Sequence, residues 1–393
     1  MRLCSLVVAL TGAAVAQETA ATVAPDGVTV LTAVEPPITC RIQHLVAGDL
    51  SLCAALDLSG NALHSNPASG GENATVLSGN QTLGLLVRVL NDGASRGGPP
   101  KLTSLMLSGS TMLAQDVAAS ELFVSTVAPA MRGLSSISLD GCGLTGLHVD
   151  ALANATLVRG TPLRTLSLAR NDVGADGAAA IARQLVYADG LATLQLSGTG
   201  LGASGAASLA DSLSRGGGAS SSLVHLALDQ NAIGDGGAAA LGDALAKARG
   251  GVLQTLDLSG NAIGPTGAAR FARALAAADD ASLAAGLREL HLSSNNVGAE
   301  GTIALAAAVE RRVNLHTLSL HDNAIPREGG EALARALRGA RALSRVTGVR
   351  HNDAWPADTA GRIEAAVASN ADALARAGTD PLLAEARQAG VKG

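Results

Sequence analysis

One short pattern recurs along most of this chain and restricts its fold more than any other feature. The stretch from Leu223 to Ile233 reads LVHLALDQNAI, and LQTLDLSGNAI begins thirty residues later. Self-similarity at a fixed period of this size indicates stacked structural repeats and not a single globular core. Further copies of the pattern begin at Cys53, Leu102, Leu134, Leu163, Leu191, Leu287 and Leu315.

Each copy carries two different periodicities. The leucines two residues apart, such as Leu226 and Leu228, predict a short β-strand with one buried face. After Ile233, Gly237 follows four residues on, and apolar residues follow eight and twelve residues on. A repeated spacing of four is one face of a helix, and we expect the glycine to let the helix approach the strand layer closely. Each unit is therefore predicted to be a strand, a turn and a full helix.

The pattern L-x-x-L-x-L-x-x-N-x-L resembles a leucine-rich repeat over about residues 53–345. The full helix makes the chain similar to the ribonuclease-inhibitor type, which also occurs in intracellular nucleotide-binding immune receptors and in Ran GTPase activators. The resemblance implies an α/β horseshoe solenoid, with a parallel β-sheet on the concave face and α-helices on the convex face.

The asparagine of the pattern lies where the chain turns off the strand. In proteins of this family it bonds to backbone groups of its own and neighbouring turns, which no sheet ladder would satisfy. Serine, cysteine and threonine are small polar substitutes that such a position accepts, so Cys142 is interpreted as a ladder residue. The expected ladder is Asn61, Ser110, Cys142, Asn171, Thr199, Asn231, Asn261, Asn295 and Asn323.

The repeats divide the chain into segments. We predict a signal peptide at 1–16, an N-terminal cap at 17–52 and the solenoid at 53–345. A Gly- and Ser-rich insertion falls at about 64–100. Residues 346–393 are expected to form a C-terminal cap and tail, because the end repeat of a solenoid would otherwise expose its core.

The first sixteen residues read MRLCSLVVALTGAAVA. One basic residue, an apolar stretch and the small residues Ala14 and Ala16 have the layout of a secretory signal peptide. We therefore expect a secreted product; the alternative is a cytosolic protein with an alanine-rich N-terminus. No later run of about 18 apolar residues is free of charged or turn residues, so no transmembrane span is expected.

Secretion bears on the cysteines and on the asparagine sequons. Cys40 and Cys53 flank the first copy and are candidates for a disulfide in an oxidising compartment; the alternative is two buried free thiols. Asn73, Asn80 and Asn154 begin Asn-x-Thr triplets and are glycosylation candidates.

Composition excludes several classes of function. The net charge of −5 argues against broad phosphate binding, so no nucleic-acid partner is expected. The aromatic residues are only Phe123, Phe271, Tyr187 and Trp355, which leaves little for base stacking. The sequence contains no P-loop, H-E-x-x-H or C-x-x-C motif. We therefore expect neither an enzyme nor a cofactor.

Candidate binding residues lie at positions 2, 3, 5, 7 and 8 of the pattern, away from the predicted core. Early copies carry small residues there, such as Ser104 and Ser136. Asp257 and His291, at position 5 of adjacent copies, should be neighbours because parallel strands lie about 4.8 Å apart. The later copies supply the candidate set, which is His225, Asp229, Asp257, Glu289, His291, His316, His321 and Asp322.

Several interpretations of this surface remain open. It is either a partner-binding patch or an ordinary solvated sheet face. A divalent metal held by Asp257, His291 and His321 is an alternative, but no compact ligand motif fixes its geometry, so no metal site is predicted. The first functional hypothesis is a secreted, non-catalytic scaffold that binds a protein, or a glycan, through the concave face. The alternative is a cytosolic ribonuclease-inhibitor-like regulator or scaffold, including a GTPase-regulator-like role. The oligomeric state is not predicted.

Overall fold

The computed structural model describes most of the chain from residue 102 onward. Side chains of the short N-terminal strands are not described before residue 56. The described residues are 19–23, 29–33, 39–40, 55–57, 83, 86–87, 90, 102–109, 117–250, 252–311, 314–340, 342–348, 352 and 357–377.

A single parallel β-sheet runs through the described part of the chain. Its eleven strands, β3 to β13, lie in the order of the sequence, and β1 and β2 form a separate antiparallel pair. The strands are β1 (Thr19–Val23), β2 (Thr29–Ala33), β3 (Thr39–Cys40), β4 (Ala55–Asp57), β5 (Ser104–Met106), β6 (Ser136–Ser138), β7 (Thr165–Ser167), β8 (Thr193–Gln195), β9 (His225–Ala227), β10 (Thr255–Asp257), β11 (Glu289–His291), β12 (Thr317–Ser319) and β13 (Arg345–Thr347).

A helix follows nearly every strand of the sheet from β5 onward. Between β5 and β6 the helical segment includes a π-helical turn, Phe123–Val127, and a 3₁₀ turn, Met131–Gly133. A further 3₁₀ turn, Gly218–Ser221, precedes β9. The α-helices are α1 (Val117–Leu122), α2 (Ala128–Ala130), α3 (Gly146–Thr156), α4 (Gly174–Leu185), α5 (Gly202–Ser214), α6 (Gly234–Lys247), α7 (Pro265–Ala277), α8 (Leu283–Gly286), α9 (Gly298–Glu310), α10 (Arg327–Ala336) and α11 (Ala357–Ala377).

The core lies between the sheet and the layer of helices. The strand register stacks leucine on leucine from one repeat to the next, as Leu226, Leu256 and Leu290 show. All three are buried, and Leu241 and Phe271 fill the space from the helix side. The α/β leucine-rich repeat solenoid expected from the sequence is therefore confirmed.

The pattern asparagines connect consecutive turns, as Asn231 illustrates. Its Oδ1 accepts the N–H groups of Thr199 (2.9 Å) and Leu201 (3.3 Å) in the preceding repeat. Its Nδ2 donates to the carbonyls of Leu196 (2.6 Å) and Leu228 (3.0 Å). Asn231 is only 1% exposed, so water does not reach this position. Its side chain supplies the hydrogen bonds that the backbone groups of both turns would otherwise make to water.

Cys142 has the ladder role predicted for it. Its backbone N–H donates to Asn171 Oδ1 (2.9 Å), and its thiol donates to the Leu107 carbonyl (3.2 Å). The thiol is buried, so it occupies the place of a small polar side chain inside the turn. The predicted ladder positions Asn61 and Ser110 lie outside the described residues.

The ladder extends further than the sequence pattern indicated. Asn352 Oδ1 accepts the N–H of Asn323 (3.0 Å), and Asn352 Nδ2 donates to the Leu320 carbonyl (2.9 Å). In α11, Asn370 Nδ2 donates to the carbonyls of Ala340 (2.9 Å) and Leu343 (3.1 Å). Two asparagines therefore satisfy backbone groups at the C-terminal end of the repeats.

The helix glycines have a different contact from the one expected. A Cβ added at Gly301 would lie 2.7 Å from the Cβ of Ala268 in the preceding helix, and one at Gly267 would lie 2.5 Å from the Cα of Asp235. The glycines therefore let each helix approach the preceding helix and the last apolar side chain of its own pattern, such as Ile233 beside Gly237. None of these contacts is with a strand. The reason is geometric: helices are about 10 Å wide, whereas the strands beneath them lie about 4.8 Å apart.

Candidate functional site

The concave face is formed by the two outer residues of each three-residue strand. In β11, Leu290 is buried, while Glu289 and His291 on either side of it are partly exposed. The same alternation holds in β6 and β10. Positions 3 and 5 of the pattern therefore form two parallel rows of side chains on this face, which is the arrangement expected from the period of a strand.

In the N-terminal half of this face, small polar side chains bond mainly to one another. Ser108 Oγ lies 2.9 Å from Ser138 Oγ. The Ser167 hydroxyl lies 2.5 Å from Asp140 Oδ1 and 2.9 Å from Gln195 Oε1. Asp140 and Gln195 were not among the predicted site residues, although they occupy positions 7 and 5 of their copies. Many of the polar side chains in this half are short and already form hydrogen bonds with neighbouring side chains of the protein.

Charged residues and histidines are more frequent on the face from the repeat of β9 onward. Asp229 accepts a 2.5 Å hydrogen bond from the Ser197 hydroxyl at Oδ1. Asp257 Oδ1 accepts the N–H of Ser259 at 2.9 Å. One carboxylate oxygen of each aspartate is therefore held by a serine at the end of a strand, Ser197 for Asp229 and Ser259 for Asp257. Both side chains are partly exposed.

His291 lies at the centre of the candidate residues. In register, it lies between Asp257 on β10 and Ser319 on β12, as the repeat spacing predicts. Its Nδ1 is 2.9 Å from Ser319 Oγ, and its Nε2 is 3.7 Å from Glu289 Oε2. The His291 side chain is 28% exposed and the Glu289 side chain 44% exposed. The structure thus brings Asp257, Glu289 and His291 together at the surface.

The other five candidates lie at other levels of the face. His225 is exposed on β9, and Asp229 follows that strand. His316 lies just before β12, with its Nδ1 2.8 Å from the Asn314 carbonyl. His321 and Asp322 lie in the turn after β12. The backbone of Asp322 is left-handed, with φ of 52°. These residues therefore lie on the strands and turns around the cluster of three.

The family comparison agrees with this architecture. A family model described as a leucine-rich repeat matches residues 161–182, 219–242, 252–272 and 287–306, each of which includes a strand or a helix of a regular unit. The chain is a leucine-rich repeat protein. No curated protein sequence matches it.

Three solved structures with low sequence identity are similar to this leucine-rich repeat protein. The leucine-rich repeat-containing protein LegL7 from Legionella pneumophila is 15% identical, with 84% of this chain and 98% of that chain covered and a TM-score of 0.42. A TLR13–ssRNA13 complex is 16% identical over 78% of this chain and 35% of that chain, also with a TM-score of 0.42. Actin-binding site 2 of leiomodin-1 is 19% identical over 39% of this chain and 80% of that chain, with a TM-score of 0.31.

The described residues were compared with the requirements of a metal site and of a membrane-spanning helix. Among them, no group of three or more His, Cys, Asp or Glu side chains is arranged to hold a metal ion. Within the same part of the chain, no helix has the length and apolarity needed to cross a bilayer.

A serine–histidine pair lies on the helix side of the repeats. His148 is buried, and its Nε2 is 2.6 Å from Ser120 Oγ. Its Nδ1 accepts the backbone N–H of Thr145 (3.0 Å), so Nδ1 carries no proton and Nε2–H donates to the serine. A histidine in this tautomer cannot remove the serine proton. His148 instead completes a capping box with Thr145 at the start of α3, where it takes the place of the usual Glu or Gln.

We expect His148 to make stability depend on pH. Burial lowers the pKa of His148 below its ordinary value of 6.5. As the pH falls below about 6.5, the unfolded chain binds a proton before the folded chain does, so the contribution to stability present above that pH is lost. The variant His148→Gln keeps an acceptor for Thr145 without titrating. Urea unfolding at pH 7.5, 6.5 and 5.5 should show a smaller loss of stability in the variant, and equal losses would contradict this role.

The modification candidates are only partly described. Asn154 is exposed on α3, where its Nδ2 donates to Asp150 Oδ2 (3.1 Å) and its Oδ1 accepts from Gln184 Nε2 (2.6 Å). The backbone of Cys40 lies in β3. The predicted signal peptide 1–16, Cys53, Asn73 and Asn80 lie outside the described residues.

Proposed function

We propose that this leucine-rich repeat protein is a non-catalytic scaffold that binds a protein partner through the C-terminal half of its concave face, from β9 to β13. The observation that carries the proposal is the surface cluster of Asp257, Glu289 and His291. Asp257 lies opposite His291 on the adjacent strand, and Glu289 Oε2 lies 3.7 Å from His291 Nε2. Each retains exposed surface and polar atoms for an incoming chain.

The contrast between the two halves of the face supports this location. The serine-rich half offers mostly short side chains that bond internally, with Arg164 and Arg170 as its exposed basic residues. The other half has more of the longer charged side chains. Arg288 and Arg345 are exposed in the same half and add positive charge. A surface of mixed sign selects a partner by charge complementarity and gives an association rate that depends on ionic strength. Because large aromatic anchors are absent from the candidate set, we expect moderate affinity spread over several contacts.

The site of action is part of the proposal. The layout of residues 1–16 supports secretion. The competing possibility is a cytosolic, ribonuclease-inhibitor-like regulator, which the strand–turn–helix unit also fits. N-terminal sequencing of the mature product tests this point: a start at Gln17 supports secretion, whereas an intact N-terminus on a cytosolic product refutes it.

The concave-face proposal predicts a local loss of binding. Partners captured from extracellular fluid by the immobilised wild-type chain should bind the Asp257→Ala/His291→Ala variant about tenfold more weakly, because charged contacts at the centre are removed. Surface plasmon resonance gives the affinities. A captured glycan in place of a protein would refute the partner class.

The matched control for this experiment lies in the serine-rich half. The Ser136→Ala/Ser138→Ala variant changes positions 3 and 5 of β6 on the same face. It should bind within about twofold of wild type. Equal losses in both variants, or no loss in the first, would refute the location.

A further inference from the structure

One outward helix position is charged in most of the regular repeats but not in α9. This position lies ten residues after the last apolar residue of the pattern. The residues there, in α4, α5, α6, α7, α9 and α10, are Arg183, Asp211, Asp243, Arg273, Ala307 and Arg335. The outer surface of α9 therefore lacks the charge that its neighbours carry there.

The same helix also exposes a large apolar side chain. Six residues after the last apolar residue of the pattern, α4 to α7 each have an alanine, whereas α9 has Ile303. The Ile303 side chain is 46% exposed. A groove of about 470 Å³ runs beside it between α7 and α9, and Ala276 and Ala304 contribute to its walls. Loss of the charge and gain of the isoleucine give α9 an apolar outer face, which marks an interaction surface.

Charges are placed at the two ends of this face in a self-complementary way. Glu300, Ala304, Ala307 and Arg311 are spaced by four, three and four residues, so they form one line along α9 and its C-terminal end. The line begins with an acid and ends with a base. Read in the opposite direction it becomes base, alanine, alanine, acid, so an antiparallel copy of the helix presents the opposite charge at each end.

We propose that this face binds a second copy of the chain, with the two α9 helices packed antiparallel about a two-fold axis. Arg311 of each copy then lies beside Glu300 of the other, where Arg273 already contacts Glu300 Oε1 at 3.0 Å. Ala304 of one copy faces Ala307 of the other, and such small residues allow a close helix approach. The two Ile303 side chains lie next to each other at the edge of the alanine contact. One surface patch binding itself is the isologous arrangement of two-fold dimers.

The size of the contact sets its strength. At 1.5 Å per residue, the thirteen residues of α9 span about 20 Å. An interface of this length buries less than the roughly 1,200 Å² typical of stable complexes, so we expect a weak dimer with a dissociation constant of about 10–100 µM. The face lies on the helix side of the repeats, so this proposal stands independently of the concave-face function.

Sedimentation velocity of the full chain from about 1 to 300 µM tests the proposal. Wild type should shift from monomer to dimer over this range. The single variants Glu300→Arg and Arg311→Glu should each remain monomeric, because like charges then meet at both ends. An equimolar mixture of the two should dimerise, since the first variant has a base at both ends of the line and the second has an acid at both ends.

Two further variants separate this surface from general effects. Ala307→Arg introduces the residue type that α4, α7 and α10 carry at the same position, so it should fold and abolish the dimer. Arg215→Glu changes the position at the end of α5 that corresponds to Arg311, and it should leave the dimer unchanged. A wild-type chain that stays monomeric at 300 µM, or a dimer insensitive to Ala307→Arg, would overturn the proposal.

Discussion

Replacing Asn231 with alanine is expected to lower the free energy of unfolding by about 4 kcal/mol. The substitution removes the Oδ1 acceptor from the N–H groups of Thr199 and Leu201 and the Nδ2 donor from the carbonyls of Leu196 and Leu228. The two N–H groups are left inside the turn without their acceptor, whereas the carbonyls of Leu196 and Leu228 keep bonds from Thr199 Oγ1 and Asn261 Nδ2. An unsatisfied buried group costs about 1–3 kcal/mol, so the two N–H groups together give the expected value.

The control for this prediction is Asn296→Ala, which removes an exposed asparagine at the neighbouring position of another copy. Surface substitutions of this kind change stability by less than about 0.5 kcal/mol. Urea unfolding monitored by circular dichroism gives both values. If the two variants lost the same stability, the buried amides would not be what holds consecutive turns together.

The repeats were predictable because every copy follows the same structural rule. Leucines two residues apart specify the strand, and apolar residues four apart specify the helix, so errors in one copy are corrected by the others. The interpretation of Cys142 followed from its place in the series. Its sequence neighbours alone would not have suggested this role.

The extension of the ladder to Asn352 was missed for a local reason. From Leu343 the pattern requires a leucine at position 6 and an asparagine at position 9, but Gly348 holds position 6 and the asparagine comes one residue late. Gly348 has φ of +82°, and a Cβ there would collide with the backbone N of His321. The close approach of the two turns thus requires a glycine where the pattern has a leucine.

The candidate site was predictable in position but not in detail. Register alone places Asp257 next to His291 across the sheet. The contacts of His291 with Ser319 and Glu289 depend on side-chain rotamers, which periodicity does not determine. The sequence likewise could not show that many of the early hydroxyls bond to one another. That distinction is what separates the two halves of the face.

Gly267→Ala is expected to destabilise the protein by about 3 kcal/mol, because α7 and α6 are too close to admit a methyl group at this position. The added Cβ would lie 2.5 Å from the Cα and 2.5 Å from Oδ1 of Asp235. The same Asp235 Oδ1 accepts the N–H of Gly264 (2.6 Å), so moving this side chain would also break a bond at the start of α7. Backbone atoms on both sides resist the shift.

The matched control is Gly236→Ala, in α6 itself. A Cβ at Gly236 meets no atom within 4 Å, and the backbone there is helical, so alanine should stabilise the protein by up to about 1 kcal/mol through helix propensity. Two chemically identical changes should thus shift the urea midpoint in opposite directions. The difference would show that the glycines of this pattern serve the spacing between consecutive helices. If Gly267→Ala were as stable as Gly236→Ala, that spacing would have to be set elsewhere, by the strands or by the asparagine ladder.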